Sequence, residues 1–311
     1  MIATITLNPS VDICYYLDEF NWNDVNRCSS YIKTAGGKGI NVSKVLKQLG
    51  NEVVATGFLG GTTGQFIKKE LESRFIMPRF IEIEAETRNC IAILSNGSQT
   101  EILESGPAIS NEESHSFLQL IADLTDFNAI KVISASGSIP QGLGKDYYRK
   151  IIEIANSRNV KFVLDTSGDS LKEAIKASPY LIKPNISEIE SLFNAKIASE
   201  QELVSKIVEL KKEYQIQMIV VSLGKNGSIA LCGDELYRVT IPEVEVKNPV
   251  GSGDALVAGM VSELAKDSTY EEILRVGNTC GVLNAMSAET GSVRMEDFSK
   301  IYDAIRIQKF V

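Results

Sequence analysis

The chemically richest stretch of this chain is a glycine-rich turn that leads an aspartate into a helix. Asn248-Pro249-Val250-Gly251-Ser252-Gly253-Asp254 runs directly into Ala255-Leu256-Val257-Ala258-Gly259-Met260-Val261, a segment apolar nearly all round and therefore expected as a buried helix. Glycines let backbone N–H groups converge without side-chain obstruction, and a helix start adds partial positive charge, so the turn favours an anion. Asp254 would stand beside that anion, where a carboxylate can take the proton of a hydroxyl attacking a phosphoryl group. Taken alone, the same residue reads as a helix-start aspartate in a preferred capping position.

A second glycine cluster, Ala35-Gly36-Gly37-Lys38-Gly39-Ile40-Asn41, precedes another helical stretch and offers a cation in Lys38 and a two-way hydrogen-bonder in Asn41. A plain tight turn with Asn41 at a helix start fits the same residues. No Gly-Lys pair is followed by Ser or Thr, and no G-x-G-x-x-G spacing occurs, so neither a P-loop nor a dinucleotide fingerprint is present. Asp12 follows the first apolar run, at a place where α/β sheets bind ligands, and could accept hydrogen bonds from sugar hydroxyls or simply shape a turn. Asn185 and Glu188 in Lys183-Pro184-Asn185-Ile186-Ser187-Glu188 have capping-box spacing. Ser222-Leu223-Gly224-Lys225-Asn226-Gly227 joins two apolar runs and reads locally as a glycine-containing hairpin.

The elements that position these groups alternate in type. Candidate buried strands are Ile2–Leu7, Glu52–Gly57, Ile130–Ser134, Lys161–Asp165, Tyr180–Lys183 and Met218–Leu223; amphipathic stretches Asn41–Leu49, Gly64–Ser73, Lys145–Ser157 and Glu200–Tyr214 lie among them. Strands separated by helices imply βαβ units and a parallel sheet covered on both faces. Two segments break the rhythm: residues from Asp12 to about Lys33, and Asn89–Leu94 with Gln99–Leu103 flanking the hairpin signal Asn96-Gly97. They are expected to form a small antiparallel flap, with exposed edges that a second subunit could cover. No linker or repeat interrupts the chain, so one domain over 1–311 with lid segments at about 12–34 and 88–105 is the simplest organisation.

Composition narrows the function classes. The 311 residues carry 32 Lys and Arg against 40 Asp and Glu, a net charge of −8, which argues against nucleic acid and anionic membrane as partners. The five cysteines show no CxxC pair or zinc spacing and read as free thiols of a reducing, cytoplasmic compartment. The single histidine, His115, lies in a polar stretch, which disfavours a Ser-His-Asp triad or a histidine metal site. The first residues read as a strand rather than a signal peptide, and no apolar run is long enough to span a membrane.

Together, Asp12, Gly36-Gly37-Lys38-Gly39-x-Asn41, Ser136-Gly137-Ser138-Ile139-Pro140, Lys183-Pro184-Asn185-x-x-Glu188, Ser222-Leu223-Gly224-x-x-Gly227 and Gly251-Ser252-Gly253-Asp254 resemble the PfkB family of carbohydrate kinases, in the family's order and over nearly the whole chain. A closer match, to members acting on phosphorylated ketohexoses, is carried by Thr34–Gly39, Glu86–Leu94, Thr100–Glu104 and Asn248–Asp254; Asn248-Pro249 stands where many members have Asp-Thr.

The resemblance implies a ribokinase-like three-layer α/β/α fold, a mostly parallel central sheet, a small antiparallel β lid, and ATP with Mg²⁺ as cofactors. By that resemblance Asp254 is the general base toward a 1-hydroxyl, and the N–H groups of Gly251, Ser252 and Gly253 form the anion hole. The sugar phosphate falls to Asp12, Gly36, Gly37, Lys38, Asn41, Arg88, Ser138 and Arg27. Arg88 is the first choice for the distal phosphate, because a planar fork grips phosphate well. The nucleotide falls to Lys183, Asn185, Ser222, Gly224 and Gly227, with Asn278 and Asn284 bordering the adenine, and Mg²⁺ to Asn185 and Glu188 through water. The implied partners are small molecules, with a homodimer through the lid edges. The rival readings are a kinase of fructose 1- or 6-phosphate, a non-catalytic sugar-phosphate or nucleotide sensor, which would not need the base, and dinucleotide redox chemistry, which lacks its fingerprint.

Overall fold

The computed structural model describes residues 1–126 and 130–310. The chain opens with β1 (Ile2–Thr6), β2 (Ser10–Leu17), β3 (Ser30–Gly36), α1 (Lys38–Gln48), β4 (Val53–Gly60), α2 (Gly61–Ser73), β5 (Met77–Pro78), β6 (Ile81–Ile83), β7 (Arg88–Ser95) and β8 (Ser98–Leu103). It continues with α3 (Asn111–Asp126), β9 (Val132–Ser136), α4 (Tyr147–Ser157), β10 (Lys161–Asp165), α5 (Gly168–Ala174), β11 (Leu181–Ile182), α6 (Ile186–Phe193) and α7 (Glu200–Tyr214). The final elements are β12 (Met218–Ser222), β13 (Ser228–Cys232), β14 (Glu235–Thr240), α8 (Ser252–Leu264), α9 (Tyr270–Met286), α10 (Phe298–Ala304) and β15 (Arg306–Phe310).

Eleven strands form one sheet in the order β15-β14-β13-β12-β11-β10-β9-β1-β4-β5, with β6 also pairing β4. From β12 to β5 every pair is parallel; β13, β14 and β15 add an antiparallel edge. Parallel strands need crossovers and are buried on both faces, which is why β1, β4 and β9 are buried at every position. Side-chain alternation then divides two cores. One contains Ile2, Val132, Val163, Leu181 and Met218 with α1, α8 and α9; the other contains Ala3, Ile133, Phe162, Ile182 and Ile219 with the helices of the opposite face. The three-layer α/β/α architecture and its mostly parallel sheet match the sequence expectation.

The lid is a separate four-stranded sheet, β3-β2-β7-β8. Its outer pairs are antiparallel hairpins and its central pair, β2 with β7, is parallel. The β7–β8 turn is the expected Asn-Gly, with φ +50° at Asn96 and +73° at Gly97. Val11 and Ile13 of β2 enter the first core, which turns Asp12, Cys14 and Tyr16 to the other face.

Several boundaries move for non-local reasons. α1 starts at Lys38 rather than Asn41, because Gly37 at φ +107° makes the turn itself. α2 starts at Gly61, where the Glu86 carboxylate from beyond β6 accepts the Thr63 N–H at 2.6 Å. His115 is exposed, and all five cysteines are free. Among the described residues no helix is long and apolar enough to cross a membrane.

Candidate active site

Helices α1 and α8 begin side by side beneath the carboxyl ends of the parallel strands, and they bring the two glycine motifs together. Gly251 takes φ +82° as the residue before α8, where an added Cβ would lie 2.5 Å from Thr290 Cγ2, so only glycine fits. Asp254 follows in the first turn and is 5% exposed. Asn41 of α1 donates from Nδ2 to Asp254 Oδ2 at 2.9 Å, across 213 residues of sequence. Burial pushes the Asp254 carboxyl up to about 7, with further upward pressure from Asp165; the Asn41 hydrogen bond and the charges of Lys38 and Lys183 hold it down. A carboxylate poised near neutral pH is suited to general-base work, which the capping role alone would not require.

The free N–H donors at this turn differ from the expected set by one member, Asp254 in place of Ser252. The Ser252 N–H donates to Pro249 O at 3.2 Å and is therefore engaged within the turn. Among the described residues the N–H groups of Gly251, Gly253 and Asp254 have no protein partner, and these are the donors left for a ligand. The unusual Asn248-Pro249 pair is also explained: Asn248 Oδ1 accepts the Val250 N–H at 3.0 Å, and its Nδ2 reaches Ala288 O and Thr290 Oγ1, both at 3.3 Å.

Strand parity supplies the charges above this floor. Val163 and Leu181 face the α1–α8 core, so Asp165 and Lys183, two residues further along β10 and past β11, face the same way at the strand ends. Lys183 Nζ lies 3.4 Å from Asp165 Oδ1 with both side chains buried, and Lys38 Nζ lies 3.8 Å from Asp165 Oδ2. Asp165 holds the Lys38 ammonium above its usual range. An added Cβ at Gly253 would lie 3.5 Å from Lys183 Nζ, which places that lysine over the start of α8. Asp165 was missed in the sequence, although a carboxylate ending a buried strand is the signal that singled out Asp12. Its two oxygens are buried and accept no hydrogen bond.

The lid places Asp12 over the first glycine motif. Ser10 Oγ donates to Asp12 Oδ1 at 2.6 Å, and a side chain at Gly36 would fall on the Asp12 carboxylate, 2.1 Å away. Burial raises the Asp12 carboxyl above the usual range. Behind the motif, Glu70 Oε2 accepts the Ala35 N–H and buried Lys44 donates to Ala35 O, both at 2.5 Å. This bracket from α1 and α2 was also not foreseen.

Arg88 is more tied down than a free phosphate fork. Its Nε and Nη2 donate to Asn8 O at 3.3 and 3.1 Å, and Nη1 donates to Glu104 O at 2.9 Å. It brackets the β1–β2 turn to the end of β8, leaving two of five N–H groups for a ligand. Asn8 reaches Ser105 O and Ser138 Oγ, at 3.1 and 3.5 Å, so Ser138 is beside this bracket. Arg27 is exposed in the β2–β3 connection, and among the described residues no hydrogen bond or ion pair joins it to the site.

On the nucleotide side, Asn185 and Glu188 form the capping box in full: Asn185 Oδ1 accepts the Glu188 N–H at 2.9 Å, and Glu188 Oε2 accepts the Asn185 N–H at 2.8 Å. Ser222 N–H donates to Pro184 O at 3.0 Å, which sets the Ser222–Gly227 connection beside this helix start; Gly224 and Gly227 take φ +57° and +82°. Asn278 and Asn284 do not border a cleft. Asn278 is buried on Ser228 Oγ and Leu274 O, and Asn284 is fully buried on Val250 O, so the adenine-edge expectation for both is replaced by internal hydrogen bonding. Hydrophilic residues within a helix give no sequence sign of which way they face.

An anion-receptive helix start, a near-neutral carboxylate and two lysines over it stand together on a three-layer fold, an arrangement suited to phosphoryl transfer. The pfkB family carbohydrate kinase model matches residues 5–296, and the chain belongs to that family; it is an ATP-dependent sugar kinase. Among relatives, it is 45% identical over 309 residues to a tagatose-6-phosphate kinase of Staphylococcus epidermidis, covering 99% of both chains. Among solved structures, it superposes on phosphofructokinase-2 of Escherichia coli in complex with potassium with TM-score 0.91 at 26% identity, covering 97% of this chain and 98% of that one. The same enzyme in complex with fructose-6-phosphate gives TM-score 0.88 at 25% identity and the same coverage.

Proposed function

We propose that the chain transfers the γ-phosphoryl group of ATP to the 1-hydroxyl of tagatose 6-phosphate, giving tagatose 1,6-bisphosphate and ADP. The observation that carries this reading is Asp254, a buried carboxylate raised to about 7 beside unpartnered helix-start N–H groups. The 45% identity to a tagatose-6-phosphate kinase over nearly the full length supports the choice of sugar. In this reading Asp254 takes the hydroxyl proton, the alkoxide oxygen attacks the γ-phosphorus, and the bond to ADP breaks. The N–H groups of Gly251, Gly253 and Asp254 meet the charge on the moving group, with Lys183 and Lys38 above it. Asp12, Gly36, Gly37 and Asn41 face the sugar, and Arg88 with Ser138 faces its 6-phosphate. Asn185, Ser222, Gly224 and Gly227 line the nucleotide.

Mg²⁺ fits the residues present. Asp165 offers two buried oxygens without donors, and Glu188 lies close enough to act on the Lys38 charge. Among the described residues no group of three His, Cys, Asp or Glu side chains could hold a metal alone, which suits an ion that keeps most of its water. Mg²⁺ would neutralise phosphate charge, with Asp165, Asn185 and Glu188 as its holders. The lid face that carries Asp12 also leaves Tyr16, Ile32 and Leu103 exposed, which suits a homodimer of a soluble, cytoplasmic enzyme.

The likeness to phosphofructokinase-2 favours fructose 6-phosphate as the second reading, since the two sugars differ at one hydroxyl. ADP release measured over a panel of ketohexose phosphates decides between them, with Asp254→Asn as control. Tagatose 6-phosphate is expected to give the highest kcat/KM; full turnover by Asp254→Asn would remove the proposed base.

A further inference from the structure

The base and the anion hole lie on one helix, but the part of the site that holds both in place is a residue on another. Asn284, in the last turn of α9, is fully buried with every polar atom engaged. Its Nδ2 donates to Val250 O at 2.8 Å and to Ser252 Oγ at 3.3 Å, gripping the glycine turn on both sides of Gly251. Its Oδ1 accepts the Gly291 N–H at 2.9 Å. Gly291 in turn packs directly on Asn41: an added Cβ there would lie 3.3 Å from both Asn41 Cα and Asn41 Oδ1. Asn41 Nδ2 then holds Asp254. Gln48, at the end of α1, secures the same segment from below, donating to Gly291 O and accepting the Val293 N–H, both at 2.9 Å. The path from turn to base thus closes through space, Val250–Asn284–Gly291–Asn41–Asp254, as well as along the chain.

On this geometry, and resting on the reading of Asp254 as base, we propose that Asn284 is a positioning residue of the transfer step. It fixes the glycine turn that presents the anion-hole donors and, through Gly291 and Asn41, the direction of the base in one rigid frame. The amide is suited to the task because it donates to the turn and accepts from Gly291 at once; no hydrocarbon of its size can do either. Such a frame acts on the transition state more than on bound substrate, since donors misplaced by a fraction of an ångström still bind phosphate but no longer meet the charge that develops.

The test uses Asn284→Asp, which keeps size and the acceptor, and Asn284→Leu, which keeps size alone. Both are expected to lower kcat about tenfold to a hundredfold while the KM values for ATP and the sugar phosphate stay within about threefold. Affinity for ADP with aluminium fluoride and the sugar phosphate, which mimics the transferring group, should fall in parallel with kcat. Asn51→Leu is the comparison: Asn51 bonds Leu46 O and Ser262 Oγ near the far ends of α1 and α8, and its loss should lower the melting temperature without lowering kcat per folded molecule. Asn284 variants that melt early yet keep wild-type kcat and wild-type analogue affinity overturn the inference. A wild-type chain that phosphorylates no sugar phosphate overturns the reading beneath it and the inference with it.

Discussion

The floor and the lid of this site are built in opposite ways. The floor, where α1 and α8 begin, is dense: Asp254, Asn41, Lys183 and Asp165 are each nearly inaccessible, Asn41 bonds Asp254, and Lys183 lies against Asp165. The lid is one sheet thick. Val11 and Ile13 anchor it to the core, while its other face leaves Tyr16, Ile32 and Leu103 in solvent. Burial is what lifts Asp254 toward neutrality, and it requires the dense floor; the thin lid keeps large side chains in solvent instead. The two halves of the proposed site thus differ in packing.

Asp254→Asn should show the largest effect, a fall in kcat/KM of about a hundredfold to ten-thousandfold by ADP release. The same change should make the protein more stable at pH 8. The folded carboxyl is raised to about 7, above the roughly 3.9 of an unfolded aspartate, so the folded state keeps a proton that the unfolded state has lost between those values. Stability therefore declines as pH rises through that window, and asparagine, with no charge to bury, escapes the decline. Calorimetry at pH 8 and pH 4 checks this; equal melting shifts at both would contradict it.

Next in size is Asp165→Asn. The wild-type kcat/KM should rise with pH to a plateau above about 7, as the base becomes deprotonated. Because Asp165 adds to the upward push on Asp254, its neutral variant should show the limb at lower pH, with a plateau about tenfold or more below wild type. A limb that stays in place would separate Asp165 from the base.

The lid should respond differently. Arg88→Ala is expected to raise the KM for the sugar phosphate about tenfold with little change for ATP, since two guanidinium N–H groups remain for the phosphate and the rest clamp Asn8 and Glu104. Equal weakening of both substrates would make the clamp its main role. The smallest effect on chemistry is expected from Ile32→Glu combined with Leu103→Glu, which should shift the protein toward monomer in sedimentation while kcat stays within about twofold. A large kcat loss there would show that floor and lid are less separate than their packing suggests.

Much of this was legible along the chain. The alternating strands and helices, the Asn-Gly hairpin, the capping box at Asn185 and the glycine turn before Asp254 all depend on neighbours within a few residues, and local sterics and hydrogen bonding suffice to specify them. The contacts of Asp165, Asn284 and Arg88 were not. Asp165 meets Lys183 and Lys38 only because adjacent parallel strands turn alternate residues to one face; Asn284 finds Val250 only because α9 packs on α8; Arg88 gives three of its N–H groups to backbone carbonyls only because the lid folds back on the first turn. Each is a contact between segments far apart in sequence, and the energy of such a contact is set by burial and register, which exist only once the sheets and helices have come together.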